Sequence, residues 1–234
     1  ALENGRTPCD YIANEKITYP EYENWTPGNS DGNYGGYYSM KGALTNSVNT
    51  VAVQLIMENS VAATKNLAKQ MGISTDLPNA PSIALGTADI SLYEMLQVYG
   101  TFANRGKPIE PMYLVRIEDK HGKVLKSYED NIPKDNVISE LNADYMIEMM
   151  QSVVDTGTAR RLRFRYGIRG DVAGKTGTTQ NQTDGWFMGF TPNLVAGVWV
   201  GRNDNKPMRN GADGSVVASP IWNRFMREAI ASGR

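Results

Sequence analysis

Two halves of this chain repeat their apolar residues with different periods, and that change limits the fold more than any other feature. Before Pro111 the spacing is helical. A helical pattern begins at Met40, and Val51, Leu55 and Glu58 mark one continuous helix that should start near Ser47. Ser60 is a natural N-cap for the next, with Val61, Leu67, Ala68 and Met71 turned inward and Gly72 as its stop. A third runs from Ser91 to Asn104, with Leu92, Met95, Leu96, Tyr99 and Phe102 on one stripe and Gly106 closing it. After Pro111, Tyr113–Ile117 and Val124–Tyr128 flank a Lys120-His121-Gly122 turn as a hairpin. Ser139 caps one more helix through Met146, Met149, Met150 and Val153. Alternation then returns in Val172–Thr179, Gly185–Phe190 and, past a Thr191-Pro192-Asn193 turn, Leu194–Val200. Ser219-Pro220 opens a last helix with Ile221, Trp222, Phe225, Met226 and Ile230 on one face. Helices, then an antiparallel sheet closed by a C-terminal helix, make an α+β architecture.

The organisation that follows is a long ordered loop over residues 1–38, rich in Gly, Asn, Pro and Tyr, a mainly helical part over 39–110, and a mixed part over 111–234. Ala1-Leu2-Glu3-Asn4-Gly5 reads as the end of a helix stopped by glycine, so a helix begun before Ala1 is expected to finish there.

Composition removes several classes of function. A net charge of −1 gives nucleic acid no electrostatic foothold. The longest apolar runs, Val51–Met57 and Leu194–Val200, fall far short of the ~20 residues that span a bilayer. With Cys9 the only cysteine and His121 the only histidine, there is no internal disulfide and no Cys/His zinc site, and no metal is expected. A Ser-His-Asp triad would have to use His121, which sits in the expected hairpin turn, and no Gly-x-Ser-x-Gly elbow occurs. Methionine and leucine at helical spacing are core, so no cofactor is called for.

Two short motifs carry chemistry. Gly174-Lys175-Thr176 is not a phosphate loop: Gly170 leaves three residues rather than four before Gly174, and Gly177-Thr178-Thr179 is poor helix material. On a strand the same residues make better sense. Thr176 and Thr178 share a face, roughly 7 Å apart. Two hydroxyls beside a lysine ammonium suit a carboxylate-bearing ligand, and Gly177 clears room for a substrate backbone against the strand edge. The competing account is an ordinary threonine-rich edge strand. Upstream stands Ser47-Val48-Asn49, which in isolation reads equally as a helix N-cap. The run Arg160–Arg165 with Arg169 reads as a solvated or salt-bridged strand face.

In that order, with their flanks, these motifs resemble the class A (bifunctional) penicillin-binding proteins. The likeness runs through Ala43–Val53, Asn104-Arg105-Gly106, Gly157-Thr158-Ala159, Lys175–Thr179, Thr183–Phe187, Gly189–Pro192, Val198–Gly201 and Ala218–Trp222. It implies a penicillin-binding/β-lactamase-like transpeptidase fold and a D,D-transpeptidase that cross-links peptidoglycan by serine acyl transfer on D-Ala-D-Ala stem peptides. β-Lactams would acylate the same serine. It further implies Ser47 as proton relay, Asn49 as partner of the substrate amide and Lys175 as the electrostatic centre. Thr176 and Thr178 would hold the terminal carboxylate along Gly177, with the Thr178 N–H in the oxyanion hole and no metal or cofactor. An extracytoplasmic site of action and a membrane anchor ahead of the chain are implied as well.

One departure stands out. No serine here is followed three residues later by lysine, so the Ser-x-x-Lys nucleophile of the family is absent. It is expected upstream of Ala1, and the 234-residue chain alone is expected to be inactive. A β-lactamase or β-lactam sensor, and a non-catalytic peptidoglycan-binding module, stay open as other readings.

Overall fold

The computed structural model describes residues 1–128, 135–179, 182–204, 206–209 and 211–233. The segment read as a loop contains a small ladder: β1 (Tyr11–Ala13) pairs antiparallel with β2 (Tyr37–Ser39), which runs straight into α1 (Met40–Asn46). Helices α2 (Asn49–Asn59), α3 (Val61–Gln70) and α4 (Leu92–Ala103) follow. Next come the hairpin strands β3 (Arg116–Glu118) and β4 (Val124–Ser127), then α5 (Glu140–Asp155) and the short α6 (Arg161–Phe164). Strands β5 (Ala173–Thr178), β6 (Asp184–Thr191) and β7 (Leu194–Gly201) form an antiparallel sheet in that order, and α7 (Gly214–Val217) and α8 (Ser219–Ala231) end the chain.

Serine caps set the helix starts. Ser39, Ser60, Ser91 and Ser139 each accept a backbone N–H from the first turn of α1, α3, α4 and α5; such a cap contributes about 1 kcal/mol. At Ser91 the cap is reciprocal, and Glu94 does more than close it. Its buried carboxylate also accepts from the N–H and hydroxyl of both Ser74 and Thr75, at 2.8–3.0 Å. Burial opposes ionisation there, but the bonds from Ser74, Ser91 and Thr75 outweigh it and hold the group well below the usual carboxylate range.

Register decides which face of the sheet each side chain takes. Thr176 pairs with Phe187 and Phe187 with Val198, so these share one face with Gly174 and Thr178. Against it lies α8, whose fully buried Trp222 meets Phe187 edge-on at 5.0 Å and donates its indole N–H to the Ala196 carbonyl at 2.9 Å. The opposite face carries Ala173, Lys175, Met188 and Phe190. Ala173 and Phe190 cluster with Met150 of α5, and Tyr99 and Phe102 of α4 pack beside them. Among the described residues strand β5 has a strand partner on one side only, and its other edge faces away from the sheet.

Three expectations are corrected. The arginine run is not a strand: Arg161–Phe164 is a short helix with Leu162 buried, and Arg163 reaches back to Asp155 at 2.8 Å. On α8 only Trp222 and Met226 of the five apolar residues are buried, while Ile221, Phe225 and Ile230 are about half exposed (53%, 54% and 46%). The hairpin arms are shorter than the apolar runs, and the ladder is irregular between Ile117 and Glu118. Its turn leaves His121 exposed, with the backbone N–H on the Asp119 carboxylate.

Candidate active site

The turn between α1 and α2 places Ser47. Helix α1 ends with Ser47 in the left-handed region (φ 57°, ψ 51°); its N–H bonds to the Leu44 carbonyl, and the Val48 N–H bonds to that of Ala43. Val48 and Ala43 are both buried in one apolar cluster with Met149. Paired 5→2 and 6→1 bonds with a C″–C3 apolar contact make a Schellman cap. Glycine is the low-cost residue at that position, and a serine there carries backbone strain. The N-cap reading of Ser47 therefore fails: α2 is entered through Val48, without a side-chain cap.

Freed from capping, the Ser47 hydroxyl accepts from the Lys175 Nζ at 2.9 Å, across 128 positions of sequence. Lys175 projects from the helix-facing side of β5 and also donates to the Thr176 carbonyl at 2.9 Å. No carboxylate bonds to it among the described residues. Burial without a counter-charge pushes its ammonium down to about 8.

Thr176 and Thr178 lie on the other face of the strand. The Thr176 hydroxyl is 2.7 Å from that of Thr158, in the turn after α5. The Thr178 hydroxyl accepts from the Gly214 N–H at 3.1 Å. Gly214 must be glycine to come so near, because a Cβ there would stand 2.3 Å from the Trp186 carbonyl oxygen and 2.5 Å from that of Gly177. Gly177 itself faces Trp186 across the ladder, where a Cβ would lie 3.1 Å from the Trp186 Cβ. That approach is tight, so a side chain at 177 would press on Trp186.

Asn49, at the first turn of α2, donates its amide to the Gly28 carbonyl at 2.8 Å. A carbonyl can only accept, so this contact fixes which end of the amide faces Gly28. The segment around it is held by asparagines: Asn29 takes the Thr50 N–H, and Asn14 takes the Thr50 hydroxyl and the Asn29 amide. No hydrogen bond joins Asn49 to β5 among the described residues. Ser47, Lys175 and Thr176 are thus drawn together by contacts, Thr178 lies two residues on, and Asn49 stands on the neighbouring helix.

Sequence reasoning gave no role to Thr158, Gly214 or Gly28. Only Gly157-Thr158-Ala159 was visible, as part of the family likeness. A groove of about 790 Å³ lies elsewhere, between the end of α4, residues 108–114 and the β6–β7 turn, and neither Ser47, Asn49 nor Lys175–Thr178 lines it.

Comparison with known proteins places the chain in a family. The model of the penicillin binding protein transpeptidase domain matches residues 1–227. The chain is 34% identical over 238 aligned residues to penicillin-binding protein 1A of Neisseria lactamica, covering 98% of this chain and 30% of that protein. The crystal structure of penicillin-binding protein 1A from Haemophilus influenzae superposes with a TM-score of 0.89 at 27% identity, over 98% of this chain and 40% of that one. The PonA1 protein of Mycobacterium tuberculosis in complex with penicillin V gives 0.85 at 25% identity, over 98% of this chain and 65% of that one. This chain therefore spans about 30% of the length of the curated relative it matches. With nearly its whole length matched and the two motif segments in contact, the chain belongs to the penicillin-binding protein transpeptidase domain family.

Proposed function

We propose that the chain supplies the Ser-x-Asn and Lys-Thr-Gly parts of a D,D-transpeptidase site that acts on peptidoglycan stem peptides ending in D-Ala-D-Ala. The observation that carries this reading is the 2.9 Å bond from Lys175 to Ser47. It leaves the Ser47 proton free to be given outward while the lysine holds the oxygen from behind. Ser47 then passes a proton between the nucleophile's lysine and the nitrogen that leaves or attacks. Acylation releases D-alanine, and an amine of a second stem peptide takes the acyl group. Thr176 and Thr178 receive the terminal carboxylate of the donor, the Thr178 N–H serves the oxyanion hole and Asn49 meets the substrate amide. Carboxylate-bearing β-lactams enter by the same contacts. The work is extracytoplasmic and membrane-anchored in this reading; among the described residues no helix is long and apolar enough to cross a membrane.

The attacking serine is not among these 234 residues in Ser-x-x-Lys form. Two polypeptides test the reading: this chain alone, and this chain joined to a Ser-x-x-Lys segment. With a fluorescent penicillin and intact-mass detection, the longer one acquires one adduct and the shorter none. A stoichiometric adduct on the 234-residue chain would overturn the account of the nucleophile.

A further inference from the structure

We propose that Thr158 is a positioning residue of this site: it ties the end of α1 to β5 and directs the Thr176 hydroxyl toward a ligand carboxylate. The inference rests on the reading of the site just given and names a residue to which that reading assigns no part.

Thr158 touches both motif-bearing elements. Its N–H donates to the Thr45 carbonyl at 3.2 Å, two residues before Ser47. Its hydroxyl lies 2.7 Å from that of Thr176, next to Lys175. The approach to α1 depends on Gly157, where a Cβ would stand 2.3 Å from the Thr45 carbonyl oxygen. Thr45 is itself fixed, being buried, donating to the Lys41 carbonyl at 2.7 Å and pairing with the Ser152 hydroxyl. A single half-buried threonine thus sets the spacing between the helix that ends in Ser47 and the strand that carries Lys175.

The proton count of the pair gives the mechanism. Each hydroxyl has one proton and two lone pairs. If Thr176 donates to Thr158, only lone pairs face an incoming carboxylate, which repels them. If Thr158 donates to Thr176, the Thr176 proton is left for the carboxylate, and donor-to-acceptor alignment strengthens both bonds. An anionic ligand selects the second arrangement. Valine at 158 keeps the shape but leaves the Thr176 hydroxyl free to rotate.

Equilibrium binding to the 234-residue chain tests this with two probes, a tripeptide ending in D-Ala-D-Ala and the same peptide as its C-terminal amide. Wild type binds the acid more tightly than the amide. Thr158→Val weakens the acid by about 2- to 10-fold and leaves the amide unchanged, and Thr158→Ser stays within about twofold of wild type. With Thr176→Val already present, Thr158→Val costs nothing further. Thr158→Ala gives the same answer should the valine variant not fold, with melting temperature followed throughout. An unchanged acid-to-amide ratio in Thr158→Val, an equal loss for both probes, no rescue by serine, or additive losses would each overturn the proposal. If wild type itself shows no preference for the acid, or binds neither probe, the reading of the site falls and Thr158 falls with it. If wild type prefers the acid and Thr158→Val does so equally, only the role of Thr158 is lost.

Discussion

Replacing Ser47 by alanine and by glycine separates the chemistry of its hydroxyl from the strain of its backbone. Both variants remove the oxygen that accepts from Lys175, and with it the proposed proton relay. They differ in conformation alone, because residue 47 sits at φ 57°. Left-handed backbone costs an alanine roughly 1–2 kcal/mol that glycine is spared. Glycine gives back about 0.4–1 kcal/mol through its freer unfolded chain. The mid-range difference leaves Ser47→Gly about 0.8 kcal/mol more stable than Ser47→Ala, or roughly 2–3 °C in melting temperature for a chain of this size. Differential scanning calorimetry on the two variants measures it directly. If Ser47→Ala proves as stable as Ser47→Gly or more so, the left-handed cap is not a feature of the folded chain. The strain argument would then be wrong.

Four further outcomes follow from the geometry. Trp222→Ala removes the fully buried ring between α8 and Phe187 and should cost about 3–5 kcal/mol in urea unfolding; a loss below about 1 kcal/mol would contradict the packing described. Glu94→Gln should cost about 2–3 kcal/mol at pH 7, since an amide cannot accept from the donors of Ser74, Thr75 and Ser91 together. Because the Glu94 pKa is depressed on folding, its contribution is present above the ordinary 4.5 and fades as pH falls below it, so the gap between variant and wild type should narrow in acid. For Lys175 the sign is reversed. Its pKa falls from the ordinary 10.5 to about 8, so the unfolded chain holds the extra proton between those values. Wild type should therefore gain stability over Lys175→Met as pH rises from 8 to 10, and a flat difference would refute the burial argument. Finally, Thr178→Val should slow acylation by carboxylate-bearing β-lactams by roughly 10- to 150-fold in a polypeptide that carries the nucleophile. It also strips the Gly214 N–H of its acceptor, so Thr178→Ser is the control that keeps that bond.

What could be read from the sequence was local. Alternation broken by Thr191-Pro192-Asn193 gave the sheet, and each serine cap stood directly before the helix it starts. Most contacts that cross the chain were hidden. Ser47 resembles an N-cap in text, and only the burial of Val48 against Ala43 and Met149 turns it into the end of the previous helix. The five apolar residues of α8 cover about half the helix circumference at 100° per residue. The sheet reaches only the strip of Trp222 and Met226. Arg160–Arg165 misled because charge masks period: Leu162, the one apolar side chain that turns inward there, is a single point and defines no spacing alone. Thr158 could not have been found from spacing, since its partners at 45 and 176 lie on other elements. Lys175 and Ser47 were legible as motifs. Their meeting across 128 positions followed from the family likeness of the two motifs, not from any spacing in the sequence, and the 2.9 Å contact bears it out.

Ser47 and Lys175 are proposed to act as one unit, the lysine holding the hydroxyl oxygen that relays the proton. The most direct test is the second-order rate constant of acylation by penicillin, in this chain joined to a Ser-x-x-Lys segment. Wild type, Ser47→Ala, Lys175→Met and the double variant are compared, with melting temperatures alongside. Each single change should lower the rate by at least about 100-fold, as the loss of a positioned proton carrier does. The double variant should be no slower than the worse single, because removing either half disables the unit. Near-wild-type acylation in a folded single variant, or losses that multiply in the double, would contradict the account.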